Sequence, residues 1–446
     1  MTDFAITEYG KKPIGPGGFS RTQANDLLRA ARAHPIAKGD GSNILQERNG
    51  YLQGGQIVGV IAARHCSLEI LPKVDPDAPP EQAETVRGRL VDMIDVALDL
   101  RLGAGEAASM SRGASSLLDI LVRIFADRLL TEVRRGLPRS YLANEEDLPA
   151  LRGSLDVVRQ FTVHAVRPDR LACRYDALSG NTPLMQLMKA CVLRLLPLAR
   201  RSSTRRLLDE LRILLADVRD VPMTQLQKQI QIDRTTSRWR ALMGLARLLL
   251  GRSWQSTSST ARMPEGVSLL FPMNDLFEAY VAALARRALT PLGIEVKSQG
   301  GGAFCLADWI DDNQETPGRL FATKPDLMLR KSGRTLAIVD TKWKVIGGDI
   351  TDKKRGISQS DIYQMMAYGQ LYGVKHLMLL YPAHLGLIGS GCVASHRVAA
   401  VDGCRLDIAT IDVSTGRRQC AVALRELLAP LVQAKQAYSW AQAIST

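Results

Sequence analysis

Residues 323–344 read TKPDLMLRKSGRTLAIVDTKWK. The runs 327–329 and 336–339 are apolar, and the polar stretch Lys331-Ser332-Gly333-Arg334 between them is turn-forming, which predicts a β-hairpin. Asp326 follows a proline and opens the first strand. Asp340 closes the second, and Lys342 stands two residues on. Side chains at i and i+2 of a strand share a face, so Asp340 and Lys342 emerge together. The hairpin brings Asp326 beside them. Two carboxylates and one ammonium are therefore expected at the end of a buried hairpin.

Such a cluster suits metal-assisted phosphodiester hydrolysis. Mg²⁺ takes oxygen ligands and is commonly held by one or two carboxylates, with phosphate and water completing its shell. A bound cation activates water and offsets charge on the reacting phosphate. A nearby lysine can orient that water or neutralise the same charge. D-x-K alone is a common string and reads more readily as a surface ion pair. Two flanking segments change the weighting. Residues 358–372, SQSDIYQMMAYGQLY, predict a helix on which Gln364 and Tyr368 share a face. They can hydrogen-bond a phosphate or the carboxylates, or simply rim an amphipathic helix. Residues 273–287, MNDLFEAYVAALARR, predict a second helix with Glu278 among apolar neighbours. An unpaired carboxylate is costly there unless a cation relieves it or the side chain faces solvent.

The order Glu278, Asp326, Asp340-Thr341-Lys342, Gln364-x-x-x-Tyr368 resembles the PD-(D/E)xK nuclease superfamily, in the RecB-like branch with its Q-x-x-x-Y element. More closely, Leu276-Phe277-Glu278, Lys324-Pro325-Asp326, Val339-Asp340-Thr341-Lys342-Trp343-Lys344 and Tyr363-Gln364-Met365-Met366-Ala367-Tyr368 resemble the McrC family, the nuclease subunits of McrBC-type modification-dependent restriction systems. Leu68-Glu69-Ile70-Leu71-Pro72-Lys73, Leu151-Arg152-Gly153-Ser154-Leu155, and Arg174-Tyr175-Asp176 with Asn181-Thr182-Pro183-Leu184 extend the likeness over most of the chain. The resemblance implies an α/β C-terminal nuclease domain, a restriction-endonuclease-like mixed sheet flanked by helices, preceded by an α+β N-terminal region. It implies Mg²⁺, with Mn²⁺ as the alternative, held by Asp326, Asp340, the Thr341 carbonyl and Glu278. Lys342 would position or activate water, and Gln364 and Tyr368 would hold the site and the strand. It also implies double-stranded DNA as substrate and a hetero-oligomer with an AAA+ GTPase of the McrB type, which the N-terminal region engages and stimulates. Asp340 stands where glutamate is frequent in the superfamily, and both ligate Mg²⁺. Lys344 is a rival for Lys342, one strand repeat further on, and reads as supporting.

The bulk properties agree with a nucleic-acid partner. The 446 residues carry 58 Lys and Arg against 45 Asp and Glu, a formal charge of +13. A surplus of that size points to a polyanion. Apolar residues make up 46%, which excludes wholesale disorder. The seven cysteines form no C-x-x-C pair and the six histidines no ligand-spaced pair, which argues against zinc ribbons and redox motifs and fits reduced thiols in a cytoplasm. Residues 1–10 lack the basic start and apolar core of a signal peptide, and no apolar run approaches the roughly 18–20 residues that span a bilayer. G-x-x-x-x-G-K-[ST] is absent, so no P-loop is expected.

Three regions are expected. Residues 1–80 read as β-rich and, by the resemblance, partner-binding. They hold a strand at 4–8, a Gly/Pro-rich loop at 11–20, a helix at 22–33, and a hairpin of 57–63 with 68–71 turning at Arg64-His65. A Pro-rich linker at 75–80 follows. Residues 81–255 read as mostly helical, with a few strands at 155–158, 161–165 and 170–175. The Ser/Thr-rich stretch 252–266 reads as a linker into a nuclease domain over 267–446. There the helix and hairpin are joined by a strand at 294–297, strands at 376–381, 393–401 and 406–413, and a closing helix at 418–435. Three functions compete: the restriction-system endonuclease subunit, a self-sufficient RecB-like nuclease in repair or defence, and a non-cutting adaptor that activates a GTPase ring. The intact Asp326, Asp340 and Lys342 argue against the last.

Overall fold

The computed structural model describes residues 2–63, 66–73, 83–101, 116–166, 169–222, 230, 232–250, 268–306, 319–347, 356–384, 387, 391–399 and 403–433. The expected turn at Arg64-His65 and both expected linkers, 75–80 and 252–266, lie outside the described residues. The fold is mixed α/β. By its contacts the chain divides into two compact units: Met1–Leu117 with Pro264–Thr446, and Leu118–Met263. The N-terminal region and the C-terminal region, read separately from the sequence, thus share one unit.

Backbone pairing explains why they do. Strand Leu269–Pro272, just before the helix Met273–Leu289, pairs antiparallel with Ile57–Ala62. It completes a four-stranded sheet with Cys66–Leu71 and Thr2–Thr7, the last two parallel. The strand Ile57–Ala62 is buried throughout, so it reads as a continuous apolar run rather than an alternating one. Gly59 permits the close pairing. Its φ is +128°, and a Cβ there would meet the Leu269 carbonyl oxygen at 1.9 Å. Over this sheet packs the helix Arg21–Arg32, started by a capping box between Ser20 and Gln23. The expected loop at 11–20 begins instead as a short strand, Lys11–Pro13, paired with Tyr51–Gly54. Pro13 sits at the strand's end, on an edge, where its missing N–H costs no ladder bond.

The second sheet of this unit has six strands, in the order Glu295–Ser298, Leu327–Lys331, Arg334–Thr341, His376–Pro382, Arg405–Ile411, Gly391–Arg397. Leu327–Lys331 and Arg334–Thr341 form the predicted hairpin about Ser332 and Gly333, both at positive φ, the conformation that two-residue hairpin turns require. Arg334–Thr341 and His376–Pro382 run parallel, and the crossover between them contains the helix Gln359–Tyr372. Ser358 caps that helix by accepting the Asp361 N–H, and Gly373, at φ +59°, ends it. The helices Met273–Leu289, Gln359–Tyr372 and Arg417–Gln433 pack against strands of this sheet, and Ala83–Leu98 packs on the first and third of them.

The unit Leu118–Met263 holds a helix running from Leu117 to Arg134, further helices Pro183–Leu195, Ser202–Leu214 and Arg240–Leu250, and a three-stranded sheet of Ser140–Leu148, Leu171–Ser179 and Ser154–Leu155. The strand expected at 161–165 is not formed. Asp156 accepts the Arg159 N–H as an N-cap, and Val157–Thr162 becomes a short helix. The long strand Ser140–Leu148 had no clear sequence signal, because its run Asn144-Glu145-Glu146-Asp147 is polar and largely exposed. No described helix is long and apolar enough to cross a membrane.

Candidate active site

The two aspartates meet because of an irregularity in the hairpin. At its turn Lys331 faces Arg334 and Arg330 faces Thr335, but beyond a bulge Leu329 faces Ala337 and Leu327 faces Val339. The extra residue shifts the register by one and carries the aspartates, one step beyond the Leu327–Val339 pair, opposite each other. Bulges re-aim side chains in this way beside functional sites. Asp326 Oδ2 accepts the Thr341 N–H at 2.7 Å and the Thr341 hydroxyl at 2.8 Å. The Asp326 carbonyl accepts the Gln299 N–H at 2.9 Å. Both ends of that residue are thereby fixed.

Asp340 is fully buried. Its Oδ2 lies 2.6 Å from Lys342 Nζ, and its Oδ1 has no hydrogen-bond partner. The contact is a short ion pair. Lys342 Nζ also donates to Gln364 Oε1 at 3.2 Å, and Gln364 Nε2 donates to the Tyr368 hydroxyl at 2.8 Å. The helix face read from the i, i+4 spacing is therefore turned onto the lysine. Its neighbour Lys344 pairs with the buried Asp361 at 3.1 Å.

Burial raises the carboxyls. Asp340 is pushed up to about 6, first by loss of solvent and then by the charge of Asp326. Asp326 is raised for the same first reason, against the two Thr341 hydrogen bonds. Burial works to lower the Lys342 ammonium, but Asp340, Asp326 and Asp361 together outweigh it and the net shift is upward. Lys342 is thus a cation at neutral pH. The Tyr368 hydroxyl is raised to about 12 by burial.

Asp326, Asp340, Thr341, Lys342, Gln364 and Tyr368 are brought together. Glu278 is less closely joined. It feels the charges of Asp326 and Asp340, and burial followed by Asp326 lifts it to about 7, but its own hydrogen bond is to Gln299. Among the described residues no three carboxylate, imidazole or thiol groups converge to hold a metal unaided. Two carboxylates, one with a buried oxygen that has no hydrogen-bond partner, nevertheless fit a hard divalent cation that keeps waters and takes phosphate as further ligands.

Glu8, Gln56 and Asn274, which hold the tryptophan beside the site, carried no sequence signal. Trp343, next to Lys342, is held by its N–H to Asn274 Oδ1 at 3.1 Å, by its carbonyl from Gln56 Nε2 at 2.8 Å, and by its indole N–H to Glu8 Oε2 at 3.0 Å. Phe277 packs on its ring, with centroids 5.3 Å apart. These partners lie up to 335 positions away. Asp361 could have been found, since it stands three residues before Gln364 on the same helix.

A family model described as McrBC 5-methylcytosine restriction system component matches residues 52–382. No curated protein matches the chain by sequence. Among solved structures, the chain is similar to one in the refined half-complex from the tetradecameric assembly of Thermococcus gammatolerans McrB AAA+ hexamers with bound McrC, at 19% identity and a TM-score of 0.70, covering 96% of this chain and 100% of that one. It is also similar to a chain of the cryo-EM structure of the Thermococcus gammatolerans McrBC complex, at 20% identity and a TM-score of 0.53, covering 65% of this chain and 88% of that one.

Proposed function

The chain belongs to the McrBC 5-methylcytosine restriction system component family, and from that premise we propose that it is the McrC-type nuclease subunit, with a restriction-endonuclease-like PD-(D/E)xK site, of a modification-dependent restriction system. It cuts DNA phosphodiesters with Mg²⁺ when assembled with a GTP-hydrolysing AAA+ partner of the McrB type, which it stimulates. The observation that carries the chemistry is Asp340, a fully buried carboxyl paired with Lys342 through Oδ2 while Oδ1 has no hydrogen-bond partner, beside the second carboxylate Asp326. A buried charge persists only where something compensates it.

Asp326 and Asp340, with the Thr341 carbonyl and Glu278, would hold Mg²⁺, which supplies Lewis-acid stabilisation to the phosphate and acidity to water. Thr341 occupies Oδ2 of Asp326 with two donors and so fixes the direction of its remaining oxygen. Lys342, kept as an ammonium by the surrounding carboxylates, cannot abstract a proton. It orients water or neutralises charge at the phosphate instead. Gln364 and Tyr368 set where that ammonium points. Double-stranded DNA suits the net charge of +13.

For the partner contact we keep residues 1–80, as the resemblance implies, and add the exposed apolar residues Val157, Val158, Phe161 and Val163 as a further contact. The test is cleavage of methylated and unmethylated plasmid by the chain with Mg²⁺, with and without the GTPase and GTP, alongside Lys342→Ala and Phe161→Asp. Cutting that needs partner and GTP, is lost in Lys342→Ala, and is lost with partner binding in Phe161→Asp is expected. Full cutting by Lys342→Ala would sink the site assignment. Cutting by the chain alone would indicate a self-sufficient nuclease, and GTP turnover stimulated without any cutting, an adaptor.

A further inference from the structure

Just past the D-x-K strand, in the same unit, a cavity of about 420 Å³ is used by no step of the cleavage reading. Glu8, Tyr9, Gln56, Lys73, Trp343 and Lys344 line it. Its volume lies toward the small end of the range for small-molecule sites, roughly 300–1,000 Å³.

Glu8 is the informative wall. It is 3% exposed. Its Oε2 accepts the Trp343 indole N–H at 3.0 Å and the Lys73 N–H at 3.1 Å, while Oε1 has no hydrogen-bond partner. A buried carboxyl oxygen without a donor is costly, and the cavity is the side from which a donor can reach it. Burial lifts this carboxyl to about 7 against its two hydrogen bonds, so near neutrality it can both accept and donate.

Tyr9 adds a second, independent sign. The turn from Thr7 closes with the Gly10 N–H on the Thr7 carbonyl at 2.8 Å, and Tyr9 occupies its third position at φ +56°. Glycine or asparagine is favoured at such a position. A tyrosine held there, 58% exposed, is local strain of the kind that clusters at binding sites. Lys73 and Lys344 also line the cavity, and the Lys344 ammonium is paired with Asp361 at 3.1 Å. Trp343, tied down by Asn274, Gln56, Glu8 and Phe277, makes the inner wall rigid and continues directly from Lys342.

We propose that this cavity receives one nucleotide, unstacked from the DNA strand lying in the D-x-K site, with the base edge on Glu8 Oε1, the base face on Tyr9 and phosphate on Lys73. A buried carboxyl with one oxygen lacking a partner, an exposed aromatic ring and a lysine together match a nucleotide: hydrogen-bonding edge, stacking surface and anion. The identity of the strand rests on the nuclease reading. The nucleotide chemistry of the cavity does not.

Two measurements on the full-length chain test this. Deoxynucleoside 5′-monophosphates are titrated calorimetrically into the wild type, Glu8→Gln, Tyr9→Ala and Lys73→Met. Separately, duplexes with 2-aminopurine stepped through the cleaved region are bound in Ca²⁺, with plasmid cleavage by wild type and Lys342→Ala run in parallel. Monophosphate binding that weakens by on the order of tenfold in Tyr9→Ala and Lys73→Met, with 2-aminopurine brightening at one position that both variants abolish, is expected. A changed base preference in Glu8→Gln supports the edge contact. No monophosphate binding, or binding indifferent to all three substitutions, overturns the proposal even if plasmid is cut normally. Monophosphate binding without brightening assigns the cavity to a free nucleotide and overturns the strand-derived occupant. Monophosphate binding with no plasmid cutting under any condition supports the cavity while sinking the nuclease reading on its own.

Discussion

Replacing Asp340 by asparagine separates a metal ligand from a structural ion pair, because the two roles give opposite signs. The Asp340 carboxyl lies near 6 in the fold, raised by burial and by Asp326, against a usual 3.8. A group raised on folding stabilises most below its unfolded pKa and loses that contribution as pH rises through its folded pKa. By about pH 8 the whole cost is present. Each unit is worth roughly 1.4 kcal/mol, so ionised Asp340 holds the fold back by about 3 kcal/mol. The asparagine amide would mimic the neutral form. In EDTA near pH 8 the Asp340→Asn chain is therefore expected to melt a few degrees above the wild type, by up to that 3 kcal/mol. Near pH 5 roughly half of the difference should remain, and it should vanish only below the usual value of 3.8. Adding Mg²⁺ should reverse the order, since only the wild type gains binding free energy. Cleavage with the partner should fall by on the order of a hundredfold or more. Scanning calorimetry over pH, with and without Mg²⁺, reads all of this. A variant that melts below the wild type in EDTA near pH 8 would show that Asp340 serves as Lys342's structural partner, and would refute the reasoning.

Three further outcomes follow from the same geometry. Divalent-metal affinity should rise from about pH 6 to pH 8 with net proton release, because Asp340 near 6 and Glu278 near 7 must ionise as the cation enters; titration calorimetry in two buffers of different ionisation enthalpy measures it, and pH-independent affinity would contradict those carboxyl shifts. Gln364→Leu removes the acceptor for Lys342 and the donor to Tyr368, so it should lower cleavage by about tenfold and stability by about 1–3 kcal/mol, with Gln364→Glu restoring part of the activity, as kinetics and denaturant titration would show. Gly59→Ala would press a methyl into the Leu269 carbonyl at a backbone angle alanine resists, so the N-terminal sheet should part from strand Leu269–Pro272 and limited proteolysis should cut near the helix that follows; unchanged protection would refute that account.

What was legible in the sequence was local. The hairpin of residues 327–341, the Gln364/Tyr368 helix face and the helix bearing Glu278 each depend on a few adjacent residues, whose apolar runs, turn pair and caps agree with the fold around them. The grouping of residues 1–117 with the site was not legible, since it hangs on strand Leu269–Pro272 joining a sheet built some two hundred positions earlier. Pairing of that kind leaves no periodicity to read. Nor could the clamp on Trp343 be found, for Glu8, Gln56 and Asn274 are ordinary polar residues until the fold sets them around one indole.

The bulge is the most instructive case, because the correct expectation came without its cause. An unbroken ladder from the Ser332-Gly333 turn, keeping the pairing of Lys331 with Arg334 and Arg330 with Thr335, would set Asp326 opposite Val339 and leave Asp340 facing Pro325. Period-two alternation would then send the two carboxylates to opposite faces of the sheet. One additional residue, absorbed between Leu329 and Arg330 on one side and between Thr335 and Ala337 on the other, restores the face-to-face pair. Deleting Leu336 should therefore abolish divalent-metal binding more completely than Lys342→Ala does, although it removes no polar group. Titration calorimetry of the deletion variant, with circular dichroism to confirm that the sheet persists, decides the point. Retention of wild-type affinity would mean that the aspartates do not depend on this register to meet.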